Sequence, residues 1–340
     1  MPGKIQLVLP GLFDLPLHEL KPGLLASELP ALNRILRLAT PRPSQAFTID
    51  AILQQVLTPA AAQPGIGACL PLAQAFAPDD DAGRGERLLL FRAVHLQPDL
   101  HSAIVVPIPQ TRDNLNDISI IINDLKDIFN VDCDITAVAD GLYLAALKEF
   151  DAPAHYPHIL SVLGKPANPY IEQSRNNLRW YKLLNEMQMF LHQHEVNQQR
   201  ARSGLLPVNS LWFWGGGEAP RRFDSSLAWY CDDPVLNRFA ESLGLTTAAL
   251  ADVAGMESAP DTVCIDLRLL EWLKTGVSTE LDQLLLEIEG RLLKPLSSAA
   301  SAARKSLTLR AGFEFDFEMT PASGLKFWRK SRDLASWVAG

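Results

Sequence analysis

Residues 207–217, PVNSLWFWGGG, carry the reading that decides the fold. Leu211, Trp212, Phe213 and Trp214 follow one another without a polar break, and three glycines come next. A run apolar on both faces predicts a buried strand, here ending in a tight loop. In an open α/β sheet that strand end is where ligands bind. The last histidine, His194, precedes this strand, so everything beyond it lacks an imidazole.

Working outward, apolar strand-like runs stand at 4–9, 226–230, 262–267 and 307–317, the last alternating as an edge strand does. Between them, helical spacing is seen at 24–38, 47–57, 169–201, 234–243, 246–253 and 279–298. Strands alternating with helices predict a mostly parallel sheet covered on both faces, with 210–214 among its strands. Residues 78–85, PDDDAGRG, mark a change in pattern. Two strands, a helix at 114–129 and two more strands follow, and a proline-rich stretch at 153–169 returns the chain. The expected organisation is an α/β core from 1–79 plus 161–340, with a small α+β domain inserted at 80–160.

The 340 residues are 47% hydrophobic and 21% charged, enough for a sizeable core. A net charge of −8 argues against a nucleic-acid surface, and the basic cluster Lys326, Arg329, Lys330 and Arg332 reads as a solvated end. Cys69, Cys133, Cys231 and Cys264 are widely spaced, which fits reduced thiols better than disulfides or zinc. No run approaches about 18 uninterrupted apolar residues. The first ten residues lack the h-region of a signal peptide. The expected location is cytoplasmic, with neither nucleic acid nor membrane as partner.

Candidate chemistry is sparse. His192 and His194 stand two apart, about 200° around a helix, and cannot share one metal. His155 and His158 lie in the proline-rich stretch without an evident carboxylate partner. Cys69 has no neighbouring base or cation to activate it. Gly215–Gly217 read either as an anion cradle or as a tight turn, with Glu218 opposing an anion and Arg221 and Arg222 favouring it.

Several segments, in order, resemble the archaeal-type cofactor-independent phosphoglycerate mutases of the alkaline phosphatase superfamily. Gly11, Asp14, Pro16, Leu20, Pro30, Leu32 and Leu38 fit that family's opening. Residues 64–78 are similar to its nucleophile segment, 91–105 to the start of its inserted domain, and 163–170 to the return from it. PVNSLWFWGGG is similar to its Ala-Asn-x-x-Trp-x-Trp-Gly-x-Gly strand and is the most specific part of the match. The ending Phe327-Trp328-Arg329 resembles a bacterial group described as regulators of pathogenicity factors, or as phosphoglycerate mutase-like.

The resemblance implies a three-layer, alkaline-phosphatase-like fold, but the chemistry is not carried over. The family's first metal-binding Asp falls on Pro10 and its nucleophilic Ser on Ile66. The later Asp and His ligands have no counterpart apart from Asp266, and the arginine-rich phosphate grip of the insert is missing. Two metals and a hydroxyl nucleophile serve that phosphoryl transfer, and proline and isoleucine supply neither. The expectation is a pseudoenzyme with no catalytic residues, metal or cofactor, acting as a regulatory or ligand-binding protein. Lys165, Asn209, Trp214 and Gly215 are expected near its cleft, with a small phosphorylated metabolite or a protein as partner. The alternative is a mutase or phosphatase with a relocated site, for which His155, His158, Asp14 and Asp266 must converge.

Overall fold

Strand β1 (Lys4–Val8), with Ile5, Leu7 and Val8 buried, lies at the centre of a seven-stranded sheet in the computed structural model. The structure describes residues 3–57, 70–77, 87–151, 156–174, 177–217, 226–258, 261–276, 280–312, 314–325, 328–329 and 334–338. The chain divides into two compact units, 1–63 with 222–340, and 64–221.

The first unit holds β1, β2 (Thr40–Pro43), β8 (Ala228–Cys231), β9 (Thr246–Ala248), β10 (Thr262–Ile265), β11 (Ser306–Arg310) and β12 (Phe315–Met319), numbered in chain order. Their order is β2-β12-β11-β1-β10-β8-β9, and β11, β1, β10, β8 and β9 run parallel. Leu7 stands opposite Cys264 on one side and Leu309 on the other. The helices are α1 (Pro30–Leu38), α2 (Ile49–Leu57), α8 (Pro234–Ser242), α9 (Arg268–Thr275), α10 (Leu281–Ile288), α11 (Lys294–Ala302) and α12 (Ala335–Val338). Ile5, Leu7, Leu307 and Leu309 pack with Leu32 and Ile35 of α1, Leu284 and Leu285 of α10 and Leu296 of α11. Each leucine so buried contributes about 1.5–3 kcal/mol. Alternation along β1 turns Gln6 to the opposite face, where its amide donates to the Val56 carbonyl of α2 at 3.4 Å. The mixed α/β class with a mostly parallel sheet is as the sequence predicts.

The second unit holds β3 (Leu88–Pro98), β4 (Ala103–Pro107), β5 (Cys133–Ala139), β6 (Leu142–Leu147) and β7 (Ser210–Trp214). Its helices are α3 (Arg112–Ile128), α4 (Ile159–Val162), α5 (Asn168–Ser174), α6 (Leu178–Gln193) and α7 (Glu195–Arg202). The long strand β3 pairs antiparallel with β6, β7 and β4 along successive parts of its length.

Here the structure departs from the sequence reading. The tryptophan strand β7 belongs to this antiparallel sheet rather than to the parallel one. The unit containing it therefore reaches from 64 to 221, beyond the insert expected at 80–160. An apolar run records burial on both faces but not the sheet that supplies it.

Other elements are broken where capping competes with periodicity. Residues 24–38 split into a π turn (Leu24–Glu28) and α1, which starts with Pro30 in its first turn. The helix expected at 169–201 is interrupted at His194, whose Nδ1 accepts from Val196 N at 3.2 Å and restarts the chain as α7. Residues 307–317 are two strands of a hairpin, turned at Gly312 with φ +70°. The helix expected at 246–253 is instead β9, paired with β8, followed by 3-10 turns (Leu250–Ser258). Pro41 and Pro43 sit in edge strand β2, where a missing N–H is tolerated.

Candidate functional site

The carboxyl ends of the parallel strands are the place in the first unit where a ligand is expected. β1 runs on from Val8 through Leu9, whose N–H donates to Arg310 O at 2.8 Å. Pro10 follows and has no side-chain atom able to ligate a metal. Gly11 has φ +87°, and a Cβ there would lie 2.8 Å from Leu273 Cδ1 and 3.3 Å from Leu270 Cα. Helix α9 is thus seated directly on the turn after β1, and only glycine permits that approach.

Asp266 ends β10, with its N–H donating to Val8 O at 3.0 Å. It is 1% exposed, and a carboxylate buried so deeply needs a partner. Arg268, two residues on, supplies it. Its Nε lies 3.0 Å from Oδ1 and 3.2 Å from Oδ2, its Nη2 2.7 Å from Oδ2, and its backbone N–H 3.0 Å from Oδ1. Nη1 also donates to Glu287 of α10 at 3.3 Å. Hydrogen bonding to Asp266 pushes the guanidinium pKa above its ordinary value, so the cation is permanent.

The acids at the end of β8 are likewise engaged. Asp233 Oδ1 accepts from Leu236 N at 2.8 Å and caps α8, while Asp232 Oδ1 accepts from Leu250 N at 3.0 Å. Burial first, and the nearby acids besides, push the Cys231 thiol well above its ordinary range. Cys264 is raised by burial alone, and Cys133 in the second unit is pushed up to about 12, chiefly by burial. All three are free and buried, and they are inert as nucleophiles.

The residues at these strand ends do not fit the metals that the resemblance implies. Both oxygens of Asp266 already face a guanidinium, which would repel a divalent ion. Among the described residues, no group of three or more His, Cys, Asp or Glu side chains is placed to hold a metal ion.

The four ligand residues expected from the sequence all fall in the second unit, and they are divided between the two ends of one strand. The Asn209 amide is spent on Leu96 of β3, donating to its O at 3.0 Å and accepting from its N at 2.7 Å. Leu96 stands opposite Val105 of β4, whose N–H donates to Lys165 O at 3.1 Å, and the Lys165 side chain is exposed. Trp214 and Gly215 lie at the other end of β7, a strand length of roughly 17 Å away. Gly215, at φ +74°, presents its O to Ala73 N at 2.9 Å, and Gly217 O accepts from Gln74 Nε2 at 3.0 Å. These contacts are those of a packed turn. Glu218, Arg221 and Arg222 lie outside the described residues.

The set proposed for a relocated site is divided between the two units, with Asp14 and Asp266 in the first and His158 in the second. Asp14 is exposed on the turn after β1 and Asp266 is buried against Arg268. His158 is 5% exposed within the second unit, where its Nδ1 accepts from Leu160 N at 3.3 Å and caps α4. Burial first, then the charge of Arg92, pushes its pKa down to about 3. His155, Ile66 and Cys69 lie outside the described residues. Arg268 is the residue that the sequence reading passed over, although its i+2 spacing from Asp266 was visible.

No family model matches the chain. It is 30% identical over 97 residues to a probable 2,3-bisphosphoglycerate-independent phosphoglycerate mutase of Geobacter sulfurreducens, covering 28% of this chain and 20% of that protein. It is 28% identical over 103 residues to the enzyme of that name from Methanothrix thermoacetophila, covering 30% and 22%. The matched stretches therefore span about a fifth of the length of these relatives. Among solved structures, the PH0037 protein from Pyrococcus horikoshii is similar with TM-score 0.50 and 12% identity, over 94% of this chain and 86% of that one. A cofactor-independent phosphoglycerate mutase from Thermoplasma acidophilum gives TM-score 0.40 and 17% identity over 94% and 90%. The chain resembles cofactor-independent phosphoglycerate mutase in a short stretch of sequence, and its mixed α/β fold with a mostly parallel sheet is shared with the Pyrococcus horikoshii protein.

Proposed function

We propose that this protein is a non-catalytic relative of cofactor-independent phosphoglycerate mutase that acts in the cytoplasm as a regulatory or ligand-binding protein. The observation that carries the reading is the Asp266–Arg268 pair. The acid that survives at the β10 end is neutralised from within the chain, with the guanidinium in hydrogen-bond contact with both carboxylate oxygens. Phosphoryl transfer through bound metals needs open carboxylates and a hydroxyl nucleophile, and Pro10 and Asp266 offer neither. Among the described residues no helix is long and apolar enough to cross a membrane, which is compatible with a cytoplasmic location. The partner on this reading is a small phosphorylated metabolite, with a protein as the alternative.

The test is an assay of the purified full chain for phosphoglycerate mutase and phosphatase turnover with added Mn²⁺ or Zn²⁺, alongside its metal content. The expected result is no turnover that responds to metal and no stoichiometric metal. Turnover abolished by EDTA overturns the proposal.

A further inference from the structure

Three leucines stand exposed at one end of the second unit. Leu100 is 91% exposed in the turn between β3 and β4, and Leu205 and Leu206 are 46% and 41% exposed in the loop from α7 to β7. The two loops are neighbours because β7 runs antiparallel to β3, with Ser210 opposite Val94. That register carries 206–208 towards 96–98, and the contacts agree. Pro207 O lies 2.9 Å from His95 Nδ1, and the Asn209 amide holds both N and O of Leu96. A single exposed leucine is ordinary, but several on adjacent loops mark a contact surface. Both loops are tied down from within. Arg200, 3% exposed, pairs with Asp117 at 2.6 Å, donates from Nε to Leu206 O at 3.0 Å, and accepts at its own O from Leu205 N at 2.9 Å. The buried Asn197 amide holds Val208 twice, donating to its O at 2.7 Å and accepting from its N at 2.8 Å. In the other loop, Asp99 N donates to Ser102 O at 2.8 Å, and His101 O accepts from Asn168 Nδ2 at 3.1 Å. Backbone groups bonded inward with leucines turned outward meet the demand of an apolar medium.

We propose that this tip is a docking surface for an anionic lipid bilayer, into whose interface Leu100, Leu205 and Leu206 insert. Three side chains fall far short of the roughly 20–30 residues a side of a stable protein interface, which disfavours a second copy as the occupant. Charge favours lipid. The chain as a whole carries −8, yet exposed Arg202 and Lys165 flank the leucines against one exposed acid, Asp99. Lys165 reaches this end through β4, its O accepting from Val105 N at 3.1 Å, with Val105 opposite Leu96. Anionic headgroups repel the acidic body and turn its basic, leucine-bearing end towards them. Composition averages charge over the chain and so conceals this local balance. Insertion of loop tips is contact with one leaflet only, and it asks for no spanning helix.

The test is cosedimentation of the full chain with vesicles of phosphatidylcholine alone and of equal parts phosphatidylcholine and phosphatidylglycerol. The expected result is saturable binding to the mixed vesicles, weakened by salt and reduced about tenfold or more when Leu205→Ser and Leu206→Ser are combined. Leu100→Ser, in the other loop, and Arg202→Glu are each expected to weaken it too. These side chains are exposed, so the variants are expected to keep the fold, which near-UV circular dichroism checks. No binding to the mixed vesicles, equal binding to the two compositions, or unaltered binding in the leucine variants overturns the proposal. Self-association that the double variant abolishes, without vesicle binding, gives the tip to a second copy and is equally fatal. Vesicle binding is read without turnover, so EDTA-sensitive mutase activity removes the non-catalytic reading and leaves the bilayer contact standing.

Discussion

The carboxylate of Glu289 closes the start of α1 across most of the chain, with Oε1 2.6 Å from Ala31 N and Oε2 3.1 Å from Leu32 N. Glu289 is 1% exposed and opens a π turn (Glu289–Leu293) between α10 and α11. The extra residue of that turn fits the side chain to the helix end, where an anion meets unsatisfied N–H groups and a positive dipole. No local residue caps α1, because Leu29 stands at its N-cap position. Replacing Glu289 with Ala orphans two buried N–H groups and is expected to cost about 1–3 kcal/mol. Urea midpoints for Glu289→Ala and Glu289→Gln check this. A Gln variant keeps one acceptor oxygen but turns an amide NH2 towards the second N–H, so its loss is expected to fall between those of wild type and Ala, and a Gln variant as stable as wild type would refute the two-acceptor cap.

Removing Arg268 leaves Asp266 buried beside Val8 with no cation. Arg268→Met is expected to lose about 2 kcal/mol, discounted because the guanidinium is partly exposed. Asp266→Asn in the same chain restores part of the loss. A double-mutant cycle by chemical denaturation measures the coupling, and additive losses would refute it.

His158 makes stability depend on pH in a defined direction. Its pKa falls from the ordinary 6.5 to about 3 in the folded chain. The unfolded chain therefore binds more protons between those values, and stability is lost as pH falls from 6.5 towards 3. The contribution is fully present above the unfolded value and is of the order of a few kcal/mol. Urea denaturation across this range in phosphate-free buffer is expected to show a shallower slope in His158→Gln. An unchanged slope in that variant assigns the acid sensitivity to other groups.

Gly215 ends the tryptophan strand in the left-handed region, with a notional Cβ 3.2 Å from both Ala73 N and Leu72 Cβ. Gly215→Ala meets backbone strain and crowding together, and the expected loss is about 1–3 kcal/mol. Thermal melting checks this, and a neutral substitution would mean that the turn yields.

Much of the fold was legible from the residues. The apolar runs in β1, β8 and β10 mark buried parallel strands, and β3 to β6 with α3 follow the order of apolar and polar positions. What escaped depends on partners remote in sequence. His194 ends a helix because its ring caps the next one and reaches Asp124, with Nε2 3.1 Å from Oδ2. Thr40–Pro43 becomes a strand because β12 offers an edge beside it.

For the candidate site, sequence alone determined which chemistry is missing, since Pro10 has no ligand atom and no histidine follows His194. Residue identity suffices there, because a side chain without a donor atom lacks one in any fold. Tertiary structure alone decided what became of the residues that remained. It joined Asp266 to Arg268, set Glu289 on α1, and gave PVNSLWFWGGG to β3 rather than to the parallel sheet. Burial forces every charge and backbone group to find a partner, and which partner is in reach follows from packing between distant segments.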